Sequence, residues 1–388
     1  MRLFKLGILC AFAVIALPSF AAAAEPAVAC VVPTDAGDPG AAIDGCGVRL
    51  ALPGLSNAER ATALKIRGRA NHMAGNLDNA IRDFDTAIEL SPNDPELRVR
   101  RGWTAYDKGD YLYVIALAEQ AVGLDHEHAP AFDLLGAAAA QTGNLALAKA
   151  AYDKSIEMQP NVVLSRFHRY QLYLQVGAQR EALSELDELL RLDFAELDTT
   201  FTELRGKRVS YRTLSRLDRA TLLDAMGRHD DAERAFNDFV KVEPGPVSYG
   251  WRGWHFFDRS QFDRAQADLV VALSYDEKFW ILHNLQGQVY NYTDRYDSAI
   301  ASFTRSLELE PKSGSSLWGR ALALRELHRT AEATKDSLAA IAADRDFLQR
   351  KLGSLTKLGY LQVARNERVD MPAVQDAVRA CMLDMKCF

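Results

Sequence analysis

Small and aromatic side chains recur along the chain in units of 34 residues. From Gly68 to Pro92, a glycine is followed by an alanine, an aromatic residue, a second small residue and a proline at fixed offsets. Each unit holds two helical stretches, so the pattern predicts helical hairpins that stack on one another, because one hairpin cannot bury its own apolar face. The same offsets return at Gly136, Ala148, Tyr152, Ser155 and Pro160, and again at Gly287, Ala299, Phe303, Ser306 and Pro311.

Close packing explains the residue types of the unit. Gly68 and Ala80 stand where two antiparallel helices are expected to approach closely, and Phe84 fills the space toward the next hairpin. Pro92 ends the second helix, because proline lacks an N–H and fixes φ. Weaker copies of the unit fill the intervals, so the sequence predicts an all-α solenoid of about eight hairpins.

The repeat is interrupted once and is flanked by two different ends. Between residues 197 and 212 the spacing slips, which predicts an extra or lengthened helix and could divide the array into two stacks, residues 58–196 and 213–347. Residues 25–57, rich in Gly, Pro and Ala, predict a mostly irregular lead-in. Residues 348–388 predict a cap of two helices, the second with Pro372 in its first turn and Asp370 as its N-cap.

The first 24 residues have the layout of a secretory signal peptide. Arg2 and Lys5 precede an apolar run that ends in small residues, and cleavage is expected near Ala24. The run is too short for a comfortable membrane span, and no second apolar stretch has spanning length. A lipid anchor on Cys30 is the less favoured alternative, because the usual leucine three residues earlier is missing. We therefore expect a periplasmic or secreted protein.

Composition then narrows the function classes. Loss of Arg2 and Lys5 takes the net charge from −6 to −8, with both signs spread along the chain, so the sequence lacks the basic footprint of a nucleic-acid-binding protein. Four cysteines remain after Cys10 leaves with the leader, and an exported setting favours disulfides over metal ligation. Three connectivities are possible, and short loops favour the following pairs: Cys30 with Cys46, and Cys381 with Cys387.

The segment 67–92 reads RGxA followed by AIxDFxxAIxLxP and resembles tetratricopeptide repeat proteins, especially exported bacterial members. The resemblance covers residues 58–347. It implies a right-handed superhelix whose first helices line a concave groove for an extended or helical peptide. The positions that would face this groove are Lys65, Arg69, His72, Trp103, Tyr106, Phe167, Gln171, Trp254, Phe257, Asn284, Gln288, Asn291 and Tyr292.

Several of these positions also have a purely structural interpretation. Trp103 and Trp254 follow the glycine of their units and could be packing between hairpins. Lys65 and Arg69 lie four residues apart on one helix, where such a pair is often simply solvated. The resemblance implies the alternative that they hold a ligand carboxylate, although Arg69 stands where the family has asparagine.

The chain contains no phosphate loop, GxSxG or HExxH motif, and we expect no catalysis, metal or cofactor. The leading hypothesis is a scaffold or adaptor of the bacterial cell envelope that binds a protein or peptide partner in its groove. The alternative is a cell-wall-associated protein whose C-terminal segment binds peptidoglycan. This alternative rests on a faint resemblance to a peptidoglycan-binding fold, carried by the letters LGY and the Asp and AV pair that follow them. A pocket of converging carboxylates or histidines would revive an enzyme hypothesis.

Overall fold

The computed structural model of the protein describes residues 30–31, 38–192, 201–204, 207–343, 345–361 and 371–384. Within these ranges the chain forms 19 α-helices and one short antiparallel ribbon. The predicted all-α repeat fold is thereby confirmed. The chain divides into two compact units, one up to Tyr113 and one from Val114 onward, so the predicted break at 197–212 falls within the second unit.

The first unit consists of consecutive helices, each packed on the next. The lead-in was expected to be mostly irregular, and this is wrong for its described part, because Asp38 caps a helix that packs on the first repeat helix. The Cys30–Cys46 disulfide, which confirms the predicted pairing, fastens residue 30 to this helix. The elements are α1 (Pro39–Ala51), α2 (Asn57–Met73), α3 (Leu77–Leu90), α4 (Pro95–Asp107) and the start of α5 (Tyr111–Leu124).

The second unit continues the series of helix pairs. Helices of one pair are antiparallel neighbours, and the first helices of successive pairs from α10 to α16 also touch. The elements are α6 (Ala129–Gln141), α7 (Leu145–Met158), α8 (Val163–Gln175), α9 (Gln179–Arg191), β1 (Phe201–Leu204), β2 (Lys207–Ser210), α10 (Tyr211–Ala225), α11 (His229–Val242), α12 (Pro246–Asp258), α13 (Phe262–Tyr275), α14 (Trp280–Tyr292), α15 (Tyr296–Leu309), α16 (Gly314–Glu326), α17 (Thr330–Ala343), α18 (Arg345–Lys357) and α19 (Met371–Leu383).

The interruption of the repeat contains strands where a helix was expected. β1 pairs antiparallel with β2, with Phe201 opposite Ser210 and Leu204 opposite Lys207. The described residues of 201–210 therefore contradict the helix prediction, while residues 193–200 lie outside the described ranges. Thr202 and Val209 are register partners in the ribbon, and both are β-branched residues, a type that favours strands.

The repeat glycines occupy the close contacts that the sequence predicts. A Cβ atom on Gly68 would lie 2.8 Å from the ring of Phe84, and one on Gly136 would lie 2.5 Å from the ring of Tyr152. Gly287 and Phe303 repeat this contact at 2.8 Å. No side chain fits in such a space without a shift, so the aromatic ring of a hairpin requires a glycine at the position that it contacts.

An arginine–carboxylate pair ties the two helices of several hairpins together. Asp83 is 5% exposed and accepts hydrogen bonds from Arg67 at 2.9 and 2.6 Å. The two residues are 16 positions apart, and the same separation recurs in further hairpins. The equivalent pairs are Arg169–Glu185, Arg252–Asp268 and Arg320–Asp336.

The C-terminal segment forms the two predicted helices, α18 and α19, which pack against α17. Cys381 is disulfide-bonded. Its predicted partner Cys387 and the predicted cap Asp370 lie outside the described residues, as does the leader 1–24. No helix in the described ranges has both the length and the apolar character needed to cross a membrane.

Candidate peptide-binding surface

In the first unit, the predicted groove residues are engaged with neighbouring side chains. The ammonium of Lys65 lies 3.2 Å from Asp94, and the His72 ring lies 2.5 Å from Asp107. The ring of Tyr106 contacts the rings of Trp103 at 5.4 Å and Tyr111 at 5.1 Å between centroids. Arg69 is half-buried on the same helix as Lys65. The basic charge of Lys65 is therefore compensated within the chain.

In the second unit, two of the predicted groove residues are buried. Phe167 is 4% exposed and packs edge-to-face on Tyr211 with 4.7 Å between ring centroids. Asn284 is 1% exposed and donates a hydrogen bond of 2.8 Å to Ser316. Their expected exposure is wrong, because each side chain is covered by the hairpin that follows it, a contact that the pattern of a single unit does not contain. Gln171, in contrast, is exposed.

Three aromatic rings from α12, α13 and α14 form an open cluster, which we call the aromatic ledge and define as Phe257, Phe262 and Tyr292. The centroid of Tyr292 lies 5.3 Å from that of Phe257 and 5.6 Å from that of Phe262. Tyr292 is 68% exposed. The ledge therefore presents aromatic surface to solvent, held in place by ring contacts.

One end of the ledge borders a pocket of about 510 Å³, here called the cap pocket. Asn291 donates to the carbonyl of Gly319 at 2.9 Å, which leaves its Oδ1 atom buried without a hydrogen-bond partner. Gln288 donates to Asn284 at 2.6 Å. The pocket is lined by Gln288, Asn291, Tyr292, Asp294, Tyr296, Ser315, Trp318, Gly319, Leu322, Glu326, Phe347 and Lys351.

A lysine of the cap helix α18 covers the aromatic wall of this pocket. The Lys351 ammonium lies 4.6 Å from the ring centroid of Trp318 and 5.4 Å from that of Phe347. Burial lowers the pKa of Lys351, and the nearby charge of Arg350 lowers it further. Among the described residues no carboxylate lies within 4 Å of this ammonium. Within the described part of the chain, this cation in the cap pocket is stabilised by the two aromatic rings.

A second pocket of about 480 Å³, here called the tryptophan pocket, is lined in part by α12, the helix that also carries Phe257. Its walls come from α10, α11, α12 and α14, and Trp254 is the predicted groove residue among them. The pocket is lined by Thr221, Asp224, Ala225, His229, Phe236, Gly250, Trp251, Trp254, His255, Asp258, Arg259, Ile281, Leu282 and Leu285.

Two carboxylates of the tryptophan pocket have opposite surroundings. Asp224 accepts hydrogen bonds from His229 at 2.6 Å and from His255 at 2.9 Å, and Arg259 lies 3.8 Å away. Burial would raise the pKa of Asp224, but the bonds from the two histidines outweigh it and lower the pKa. Partial burial and the negative charge of Asp224 raise the pKa of Asp258.

Reasoning from the sequence missed this polar cluster, because its members come from separate hairpins. His255 is 2% exposed, and its Nε2 atom is buried with no hydrogen-bond partner. The pocket brings together two histidines and two carboxylates, the sign that the sequence analysis set for an enzyme. Asp224 faces Nδ1 of both histidines, and the free Nε2 atom of His255 is hydrogen-bonded to no hydroxyl group in the described chain. No group of three His, Cys, Asp or Glu side chains in the described ranges is arranged to hold a metal ion. The arrangement is suited to binding polar groups.

Comparison with known proteins agrees with the fold. Tetratricopeptide repeat models match residues 54–95, 129–162, 217–269 and 284–346. A tetratricopeptide repeat protein from Parabacteroides merdae is 17% identical over 68% of this chain and 99% of its own, with a TM-score of 0.48. The C-terminal part of a repeat protein from Cytophaga hutchinsonii is 13% identical over 65% of this chain and 97% of its own, with a TM-score of 0.47.

A smaller structure, the first tetratricopeptide repeat domain of Spaghetti bound to an HSP90 peptide, is 21% identical over 31% of this chain and 97% of its own, with a TM-score of 0.30. The family models are matched in both compact units. The chain belongs to the tetratricopeptide repeat proteins, and its repeats form a scaffold for protein–protein interaction.

Proposed function

We propose that the second unit binds a peptide segment of a partner protein along the aromatic ledge, with peptide side chains entering the cap pocket and the tryptophan pocket. The observation that carries this proposal is the exposure of Tyr292, whose ring packs on Phe257 and Phe262 and also lines the cap pocket. Tyrosine and other aromatic rings contribute much of the binding energy at protein interfaces, because they bury large areas at small entropic cost.

Several polar groups beside the ledge support the same function. The Oδ1 atom of Asn291 can accept a hydrogen bond from a peptide N–H, and Lys351 supplies a cation without a carboxylate partner in the described chain. A buried polar atom that lacks a partner costs free energy, which a bound peptide would recover. The surface therefore combines apolar aromatic contacts with a hydrogen-bond acceptor and a cation that a bound peptide can engage.

The site is proposed as a non-catalytic one, working outside the cytoplasm in the cell envelope. The Cys30–Cys46 disulfide supports an oxidising compartment, and the basic and apolar layout of residues 1–24 supports export. Cell fractionation followed by N-terminal sequencing tests the location. A mature chain that starts near Glu25 is expected, and a cytosolic protein that keeps Arg2 and Lys5 would contradict it.

The ledge is tested by selecting binders from a random peptide library displayed on phage. Tyr292→Ala is expected to weaken the selected peptides by about tenfold, as a central aromatic residue of an interface does. Tyr275→Ala is the matched control, because this tyrosine is 54% exposed on α13 and lines neither pocket. Equal binding by Tyr292→Ala and the unchanged protein would remove the ledge from the function.

A further inference from the structure

We infer that the tryptophan pocket binds a basic side chain of the partner, with a guanidinium favoured over an ammonium. The inference rests on the proposed function for the biological source of the ligand, and on the pocket alone for its chemistry. The residues that line this cavity of about 480 Å³ include a carboxylate without a cationic partner in the described chain, a histidine with a buried unpartnered nitrogen and two tryptophans.

The first acceptor is the buried imidazole of His255. Asp224 is ionised at neutral pH, because its pKa is lowered, and a carboxylate can only accept, so the proton between the two groups belongs to Nδ1 of His255. The Nε2 atom of His255 is buried and has no hydrogen-bond partner. In the tautomer that carries the proton on Nδ1, this atom is an acceptor, which a ligand N–H group would satisfy.

The second acceptor is the carboxylate of Asp258. Both histidines and Arg259 are directed at Asp224, while no cationic group of the described chain lies within 4 Å of Asp258. The Trp254 side chain donates a hydrogen bond to it. The raised pKa of Asp258 has two causes, burial and the charge of Asp224, and a bound cation would offset both. Asp258 is therefore the carboxylate of this pocket that has no cationic partner in the described chain.

The walls select the shape of the cation. Trp251 and Trp254 are half-buried and line the cavity together with the apolar side chains of Ile281 and Leu285. A planar guanidinium stacks on an indole face and is less strongly hydrated than an ammonium, and its several N–H groups can reach two acceptors at once. This combination favours arginine over lysine.

The test uses N-acetyl-arginine amide as the probe and N-acetyl-citrulline amide as its neutral isostere, with binding followed by ligand-observed saturation-transfer NMR. The arginine probe should bind saturably and about tenfold more tightly than the citrulline probe, the usual scale for a charge-assisted pair in a partly buried site. Asp258→Asn should abolish this preference. Asp263→Asn, an exposed carboxylate on α13 outside the pocket, should keep it.

Three results would overturn the inference: no saturable binding of the arginine probe, equal binding of the citrulline probe, or an unchanged preference in Asp258→Asn. Circular dichroism of both variants checks that their helix content is retained. This test and the library selection can fail independently. If the arginine probe shows no preference but Tyr292→Ala still loses peptide binding, the ligand inferred for the tryptophan pocket is rejected and the proposed function of the ledge stands.

Discussion

The two units carry the same kind of repeat but use their polar side chains differently. On α2 and α4 of the first unit, Lys65 and His72 are paired with Asp94 and Asp107. On the first helices of the second unit, Asp258 has no cationic group within 4 Å in the described chain, and the Nε2 atom of His255 has no hydrogen-bond partner. The difference indicates that a polar side chain is available to a ligand when the fold has not already given it a partner. The residue type matters less.

The largest effect is expected where a paired group is removed from the first unit. Asp83→Ala takes away the acceptor of Arg67 and Asn71 and leaves a half-buried guanidinium without compensation. The free energy of unfolding should fall by about 2–3 kcal/mol, somewhat below the range for a fully buried pair. Urea denaturation measures it. Asp78→Ala, which removes an exposed carboxylate beside Lys108, is the control and should leave the unfolding midpoint nearly unchanged.

A smaller effect of opposite sign is expected for a half-buried carboxylate of the second unit. Burial raises the pKa of Asp218 to about 6, although the hydrogen bond from Tyr170 opposes the rise. Because the folded pKa lies above the unfolded value of 3.8, the folded state holds the proton more tightly. The contribution of Asp218 to stability is therefore fully present below pH 4 and is lost as the pH rises to about 6.

Asp218→Asn should remove this dependence and raise the free energy of unfolding at pH 7 by about 1–3 kcal/mol. Denaturation curves of both proteins between acidic and neutral pH check the prediction. If the two curves stay parallel across this range, Asp218 does not titrate as described and the buried charge is compensated after all.

The smallest effect is expected at the unpaired lysine of the cap pocket. Lys351→Met keeps an apolar chain over Trp318 and removes a charge whose pKa burial lowers, so the free energy of unfolding should rise by about 0.5 kcal/mol. The matched variant Lys65→Met, which breaks the ion pair with Asp94, should not stabilise the protein. A clear loss of stability in Lys351→Met would show that this lysine is structural and would weaken the comparison between the units.

The fold could be predicted because each unit encodes its own packing. The contact of Gly68 with Phe84 lies within one hairpin, so its offset is constant wherever the unit recurs. The pair Arg67–Asp83 is equally regular and was visible in the sequence, but a search on small and aromatic positions passes over charged residues. The β1–β2 ribbon was missed because four-residue strands carry too little periodicity to be separated from a helical interruption.

The candidate site was predicted only in part, since exposure depends on the neighbouring hairpin. Tyr292 and Trp254 do line pockets, but Asn284 is covered by Ser316 of the next unit, and a single-unit pattern cannot register that contact. The tryptophan pocket draws Asp224 and His255 from first helices about 30 residues apart. The contact between these residues forms only when successive hairpins pack together, so the sequence of a single repeat does not predict it.

A buried chain of hydrogen bonds decides which face of an amide the cap pocket offers. Ser306 and Ser316 share a bond of 2.8 Å, Asn284 donates to Ser316, and Gln288 donates to Asn284. Since the Gln288 nitrogen is committed to this interior chain, its oxygen is left to meet an incoming molecule. The hydroxyls of the hairpin interior thereby determine which atom of the Gln288 amide faces the rim of the pocket.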